Sequence, residues 1–433
     1  MSDTRAGQST SSAFEAATYA KITWRLMPLL FVCYVASYLD RVNVGFAKLQ
    51  MLADLNFSET VYGLGAGVFF IGYFLFEIPS NVILHKVGAR LWIARIMLTW
   101  GIISGAMIFV SSPTIFYVMR FLLGAAEAGF FPGVILYITY WYPSARRGKI
   151  TAIFMTAISI SGVVGGPLSG WIMHALPGVY GLAGWQWMFI IEAVPSIVLG
   201  IVVVFYLQDR IIDAKWLSSE EKELLAKNIA NEEATKVDMS FLQVMTHPKI
   251  WLMAFNYFCY IMGLYGISFW LPTIIKSTGV TDPLDIGLLT AIPYAAAAVA
   301  MILIGRSADK HRERRWHVAI PAVLGSVGLL LSTLYGHNTV LAMAALTLAT
   351  IGILTTLPLF WSLPTAFLGG AAAAAGIALI NSLGNLAGFV SPYLVGWLKD
   401  LTHSTDTGMY MLSGSLIVGA LLTLAVPKEM VNK

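Results

Sequence analysis

Tyr38-Leu39-Asp40-Arg41-Val42-Asn43 stands inside an otherwise apolar run, residues 24–46, and Arg120-Phe121-Leu122-Leu123-Gly124-Ala125-Ala126-Glu127-Ala128-Gly129-Phe130-Phe131-Pro132-Gly133 stands inside another, residues 115–141. A helix of ~20 apolar residues crosses a bilayer core. A charge within such a helix is expensive, and by default it marks a functional site with a partner to be found. Two further acids, Glu77 and Glu192, fall in the apolar runs 61–84 and 185–207. With 92–110, 149–173, 249–275, 285–305, 317–335, 339–362, 373–397 and 409–426, these runs make twelve candidate spans. The least distinct division is at 363–372, where Pro364, Gly369 and Gly370 signal a turn. The chain therefore reads as an all-α membrane protein.

Composition closes off other classes. Of 433 residues, 58% are hydrophobic and 12% charged, about half the charged share of soluble domains. The short loops leave no room for a soluble catalytic domain. The net charge of +4 is spread over several loops, which argues against a nucleic-acid partner. Cys33 and Cys259 both lie in apolar runs and form no metal or disulfide pattern, and the seven histidines show no ligand spacing. No cofactor and no metal are expected. The polar start, Met1 to Ala20, lacks a signal-peptide pattern. The expected partners are the lipid bilayer and a small molecule, with a monomer as the expected state.

Lysine and arginine set the orientation. With the N-terminus inside, the inner segments hold 22 of them, and the outer loops hold only Lys48, Lys276 and Lys399. That bias predicts both termini in the cytoplasm. Residues 208–248 form the one long polar stretch, and Ser219-Glu220-Glu221-Lys222-Glu223 opens a short amphipathic helix within it. This stretch reads as a solvated cytoplasmic linker between a six-helix bundle at 1–207 and another at 249–433.

The two halves resemble each other at an offset of about 225: Cys33-Tyr34 matches Cys259-Tyr260, Gly162 and Pro167 match Gly388 and Pro392, and Gly170-Trp171 matches Gly396-Trp397. Parallel six-helix repeats place a binding site at their interface near the midplane. The repeat also exposes an asymmetry. Asp40 and Arg41 meet Gly266 and Ile267, while Arg120 and Glu127 meet Ala345 and Gly352. Ion chemistry thus belongs to the first half, and the second offers neutral polar groups.

These residues resemble the major facilitator superfamily. The second-half loop Gly305-Arg306-Ser307-Ala308-Asp309-Lys310, followed by Arg314-Arg315, matches the superfamily's cytoplasmic-loop signature. The first-half copy, Asn81-Val82-Ile83-Leu84-His85-Lys86-Val87-Gly88-Ala89-Arg90, has Asn81 for the glycine and His85 for the acid. The strings Tyr38 to Asn43, Phe76-Glu77-Ile78-Pro79-Ser80-Asn81 and Arg120 to Gly133 narrow the resemblance to the anion:cation symporter family. Its bacterial members import tartrate, phthalate, hydroxyphenylacetate and sugar acids. The resemblance implies two pseudo-symmetric six-helix bundles and an inner-membrane, proton-coupled importer of an organic carboxylate working by alternating access. It also implies loops, carrying His85, Lys86, Gly88, Arg90, Asp309 and Lys310, that help hold the outward-open state.

Arg120 and Glu127 are two helical turns apart and share a face, whereas neighbours Asp40 and Arg41 point ~100° apart. Two acids and two arginines around one cavity are expected. Burial favours a neutral carboxyl, and a nearby guanidinium favours the ionised one. Asp40 and Glu127 are thus candidate proton carriers. Arg41 is the candidate carboxylate receptor through a forked pair of hydrogen bonds, and Arg120 the group that holds Glu127 or Asp40 when proton-free. The resemblance implies the same assignment for these four. The bland alternative is that the pairs only hold helices together, although buried ion pairs are weak evidence for stability. Tyr38, Tyr73, Asn256, Tyr260, Trp361 and Asn381 are expected to complete the cavity and to suit a hydroxylated or aromatic acid. Glu77 and Glu192, beside Pro79 and Pro195, are expected to bond backbone freed by those prolines. Gly162-x-x-x-Gly166-Pro167-x-x-Gly170 resembles a helix signature of drug/proton antiporters, but its physical content is close packing and a kink. An antiporter exporting amphipathic compounds is the alternative function. A cation exporter would want acids without arginines. Neither an enzyme's catalytic cluster nor a channel's filter loop is present in the sequence.

Overall fold

The computed structural model describes residues 2–233, 247–364 and 370–431, which form helices and the turns between them. Twelve of the described helices are long and apolar enough to cross a membrane: Ala13–Leu55, Glu59–Val87, Ala89–Phe109, Pro113–Trp141, Arg146–Ala175, Gly184–Tyr206, Pro248–Ser277, Pro283–His311, Arg315–Leu334, Thr339–Phe360, Gly376–Thr402 and Asp406–Ala425. They are numbered below in chain order. Each overlaps one of the twelve apolar runs of the sequence. Of the expected turn at 363–372, Gly369 lies outside the described residues, and so do 234–246 of the linker.

Local chemistry sets the starts. Ser58, Asp282 and Asn338 cap spans two, eight and ten by accepting from Val61 N, Leu284 N and Leu341 N at 3.1, 2.7 and 3.1 Å. Proline follows the cap residue at Pro113, Pro248 and Pro283, where its missing N–H costs nothing. Exposed Ile78, Phe109, Phe205, Leu303 and Val340 give the outer surface its apolar, lipid-facing character.

Four spans are broken rather than continuous. Span one is interrupted at Asn43, span five at Thr156 and span eleven at Leu386. Span four breaks after Glu127, where Gly129 adopts φ +87° and a Cβ would lie 2.2 Å from Ser80 Oγ. Only glycine meets both demands. Asp40-Arg41 and Glu127 therefore lie in the last turns before two helix breaks.

The first six spans meet the second six along two seams, span five on span eight and span two on span eleven. Lipid offers no hydrophobic drive for helix pairing, so small residues that admit close backbones do the packing. The seams repeat each other. A Cβ on Gly170 would meet Pro283 O at 2.4 Å, and one on Gly396 would meet Glu59 O at 2.4 Å. Gly162 faces the Tyr294 ring where Gly388 faces the Phe70 ring. Gly287 abuts Gly166 O and Gly63 abuts Pro392 O, each at 2.3 Å from the Cβ position. The glycine signature of span five is a packing device, with its counterpart on span eleven.

Polar contacts close the same interface on the side opposite the termini. Lys399 Nζ lies 2.6 Å from Glu59 Oε1, whose other oxygen is 2.6 Å from Lys48 Nζ. Asp400 accepts from Glu59 N and Thr60 N at 3.2 and 2.7 Å, capping span two from the other half. His174 Nδ1 approaches Asp282 at 3.0 Å, and Lys276 donates to Leu49 O at 3.2 Å. On the side of the termini, the linker helix Ser219–Glu233 binds span one through Lys21–Glu221 at 2.8 Å and Asn228–Tyr19 at 3.2 Å.

Candidate functional site

Span one delivers Asp40 and Arg41 to two different places. Arg41 turns toward the second half. Its Nε and Nη2 both donate to Glu127 Oε1 on span four, the former at 3.2 Å, and its Nη1 donates to Tyr265 OH on span seven at 3.0 Å. Ser37, one turn before Arg41, donates to the same Glu127 oxygen at 2.7 Å. Arg41 is 6% and Glu127 1% exposed, so the pair is shut away from solvent. Rings surround it: Arg41 Cζ is 5.5 Å from the centroids of Phe69 and Tyr73 and 5.7 Å from that of Tyr38. Tyr38 OH reaches Ser268 Oγ of span seven at 2.9 Å, beside a water-sized void of about 20 Å³ lined also by Asn43 and Tyr294.

Asp40 turns the other way, into the first six spans. It accepts from Trp100 Nε1 and Ser104 Oγ of span three at 3.0 Å each, and from Ser196 Oγ of span six. Glu192, on the same span as Ser196, accepts from Ser169 Oγ at 2.6 Å and lies within electrostatic reach of Asp40. The expected single cluster is thus two: an ion pair facing the second half, and a carboxyl pair held by neutral donors inside the first. The ~100° step between adjacent helical residues is the reason.

Arg120 does not hold a carboxylate. Its guanidinium donates to Gly65 O, Arg41 O and Ala66 O at 3.3, 3.3 and 3.4 Å. The break at Asn43 leaves the Arg41 carbonyl without its helical partner, and Arg120 takes that place, tying spans one, two and four. Arg120→Ala leaves these buried acceptors unpaired and is expected to destabilise the protein by about 1–3 kcal/mol. Thermal melting in detergent checks this, and unchanged melting with altered pH dependence would return Arg120 to the proton site.

On the second half the polar residues divide. Asn256 Nδ2 and Tyr260 OH both bond Thr423 Oγ1 of span twelve, at 2.9 and 2.7 Å, and so face away from Arg41. A polar stripe four residues apart marks one face but does not say which way that face looks. Trp361 packs 4.9 Å from Tyr257, which lies on the inner side of span seven. Asn381 Nδ2 donates to Glu77 Oε1 at 3.2 Å, and Ser382 Oγ donates to Oε2 at 3.1 Å. Glu77 therefore bonds side chains of the opposite half, not backbone near Pro79.

The family model of the Major Facilitator Superfamily matches residues 30–392. The chain belongs to the major facilitator superfamily. It is 51% identical over 421 residues to an Agrobacterium vitis protein named as a tartrate transporter, covering 96% of each chain. It is 42% identical over 416 residues to a quinolone resistance transporter of Acinetobacter baumannii, covering 95% of each. The crystal structure of a D-xylose–proton symporter shares the fold at TM-score 0.72 with 15% identity, covering 94% of this chain and 99% of that one. This chain is accordingly a multi-pass membrane transport protein of small molecules and not an enzyme.

The superfamily's loop signatures serve here within each half. His85 Nδ1 meets Tyr140 OH at 3.1 Å. Gly88 has φ +98° and faces the Asp209 carboxylate, which accepts from Arg90 N at 2.8 Å and lies 3.7 Å from Arg90 Nε. Asp209, at the start of the linker, thus caps the third span; Lys86, Asp309 and Lys310 are exposed. Arg314 and Arg315 donate to the carbonyls of Ser362 and Val426 at 3.0 and 2.7 Å, closing the ends of spans ten and twelve. Three residues that meet Arg41, Glu127 or Tyr38 escaped sequence reasoning. Ser37 stands one turn from Arg41, Tyr265 adjoins the repeat position of Asp40, and Ser268 carries no sequence signal.

Proposed function

We propose that the protein is a proton-coupled symporter that imports a small organic carboxylate across a bacterial inner membrane, with both termini cytoplasmic. In this reading it works as a monomer whose six-span bundles, 1–207 and 249–433, rock about the linker 208–248. The observation that supports it is the buried Arg41–Glu127 pair, reached by Tyr265 from the other half. Protonation of Glu127 frees the Arg41 fork. A substrate carboxylate then occupies it with two charge-assisted hydrogen bonds, and Tyr265 reports that occupancy to span seven. Loss of the proton restores Glu127 to Arg41 and expels the anion. Proton and carboxylate are carried together because one guanidinium serves two carboxylates in turn, that of Glu127 when it has lost its proton and that of the substrate when Glu127 holds one. Asp40, with Glu192 beside it, is a second proton site in this scheme, removed from the substrate. The name of the Agrobacterium vitis relative favours a carboxylate, and a solved xylose–proton symporter shares the fold.

Export of amphipathic compounds is the second reading, favoured by the Acinetobacter baumannii relative. Proteoliposomes under an inward proton gradient separate the two. Accumulation of a carboxylate from a mixed panel is the expected result. Gradient-driven movement of an amphipathic cation in the opposite direction, with no carboxylate accumulated, would replace symport by antiport.

A further inference from the structure

A groove of about 930 Å³ opens on the side of the termini and shares no residue with the site around Arg41. Its walls come from the start of span one, the start of span five and the linker helix Ser219–Glu233. Trp24 and Lys149 both line it, and they are the first residues of the apolar runs 24–46 and 149–173. The groove therefore stands at the level where two spans leave the hydrocarbon core for the headgroups. Arg146 lies with its Cζ 4.2 Å from the centroid of the Tyr19 ring and donates to Glu15 Oε1 at 3.1 Å. Tyr19 is itself fixed, stacked 6.0 Å from Tyr142 and accepting from Asn228 Nδ2 at 3.2 Å. Lys149 is exposed and makes no ion pair among the described residues. Two cations thus face one acid, Glu15, which leaves the groove with a net charge of +1. Its flank toward the bilayer is apolar: Trp24 is 81% and Ile153 41% exposed.

We infer that this groove binds an anionic phospholipid of the cytoplasmic leaflet. The leaflet follows from the orientation proposed above, and the lipid class follows from the groove. A phosphodiester carries one negative charge, which matches the excess of Arg146 and Lys149 over Glu15, and both cations give it charge-assisted hydrogen bonds. Hydroxyls of a glycerol headgroup suit the Glu15 carboxylate as acceptor. An acyl chain then runs along Trp24 and Ile153, with the indole at the interfacial level that tryptophan favours. Basic pockets between spans on the cytoplasmic side suit anionic headgroups for these reasons. A zwitterionic lipid brings its own ammonium and no net charge, and free phosphate has no chain for the apolar flank. Bound here, the lipid bridges spans one and five and the linker helix.

The test places the protein in nanodiscs holding equal amounts of phosphatidylglycerol and phosphatidylethanolamine with the same acyl chains. Lipids retained after release into detergent are counted by native mass spectrometry. The parent is expected to retain phosphatidylglycerol in preference. Lys149→Gln is expected to reduce that preference about fivefold, and Arg146→Gln together with Lys149→Gln to abolish it. Trp24→Ser, which keeps the charges, is expected to lower retention of both lipids without changing their ratio. In parallel, delipidated protein is melted with phosphatidylglycerol, glycerol phosphate or inorganic phosphate, and only the lipid is expected to raise the melting temperature. Equal retention of the two lipids by the parent overturns the anionic assignment. A preference that survives in both charge variants overturns the site, and should the double variant not assemble, exposed Lys149 alone decides it. Equal stabilisation by inorganic phosphate would replace the lipid with a free anion.

Discussion

Arg41→Ala weakens carboxylate binding by a hundredfold or more, whereas Glu127→Gln keeps binding and loses its dependence on pH. Both expectations follow from Glu127 being the acid that engages the Arg41 fork. Removing Arg41 deletes two charged hydrogen bonds to the ligand and leaves Glu127 buried without its counter-ion. Such losses amount to about 3–5 kcal/mol, or roughly a hundredfold to several thousandfold in affinity. Glu127→Gln acts differently. In the parent, an ionised Glu127 competes with the ligand for Arg41, so binding takes up a proton and weakens as pH rises. Linkage sets the limit at about tenfold per pH unit once the carboxyl is ionised in the free protein. A glutamine cannot ionise, so affinity stays flat at the parent's low-pH value while proton-driven accumulation disappears. Binding isotherms at several pH values measure both effects. Parent-like pH dependence in Glu127→Gln would move the coupling proton to Asp40 and Glu192.

A methyl-bearing side chain in a seam produces the second large effect. Gly287→Val and Gly63→Val each drive a Cβ to 2.3 Å from a backbone oxygen of the facing span. Backbone cannot step aside as a flexible side chain does, so spans five and eight, or two and eleven, must part. Overpacking of this kind costs about 1–3 kcal/mol, and more where backbone is the obstacle. If these seam ends part when the side opposite the termini opens, the cost falls on the closed conformer alone, and about 3 kcal/mol shifts the balance of conformers over a hundredfold. Transport is expected to collapse while equilibrium substrate binding survives. Cysteines placed on that side should label faster with membrane-impermeant reagents. Gly305→Ala, with no atom within 4 Å of its Cβ position, is the control. Slow labelling together with lost transport would point to misassembly in place of a trapped conformer.

Much of this architecture was legible in the chain. Span positions follow from apolar length, which the bilayer imposes directly. The seam glycines of span five were legible as packing elements because small residues at helical spacing have few other uses in lipid, whereas Gly63 and Gly287, which meet the facing backbone just as closely, were not. The divergence of Asp40 from Arg41 was legible as an angle, but not its destination. Trp100, Ser104 and Ser196 come from spans three and six, which only the tertiary fold brings to Asp40. Arg120 was misjudged because its acceptors are backbone oxygens exposed by a helix break, and carbonyls leave no mark in a sequence. The contact from Glu77 to Asn381 joins residues 304 apart, and nothing local announces it.

The confinement of buried charge to the first six spans has an electrical consequence. A unit charge moved through the whole membrane potential exchanges about 2.3 kcal/mol per 100 mV. The second bundle buries no ionised side chain within its described spans, so its rocking does no work against the field. In the empty carrier Arg41 and Glu127 offset each other as one dipole, so this pair adds little charge movement to the return stroke, and what moves there is the charge of Arg120 and of the Asp40–Glu192 carboxyls. In the loaded stroke the protons and the anion are added to that fixed contribution. The difference between transient currents recorded with and without substrate therefore reads out the net charge of the cargo.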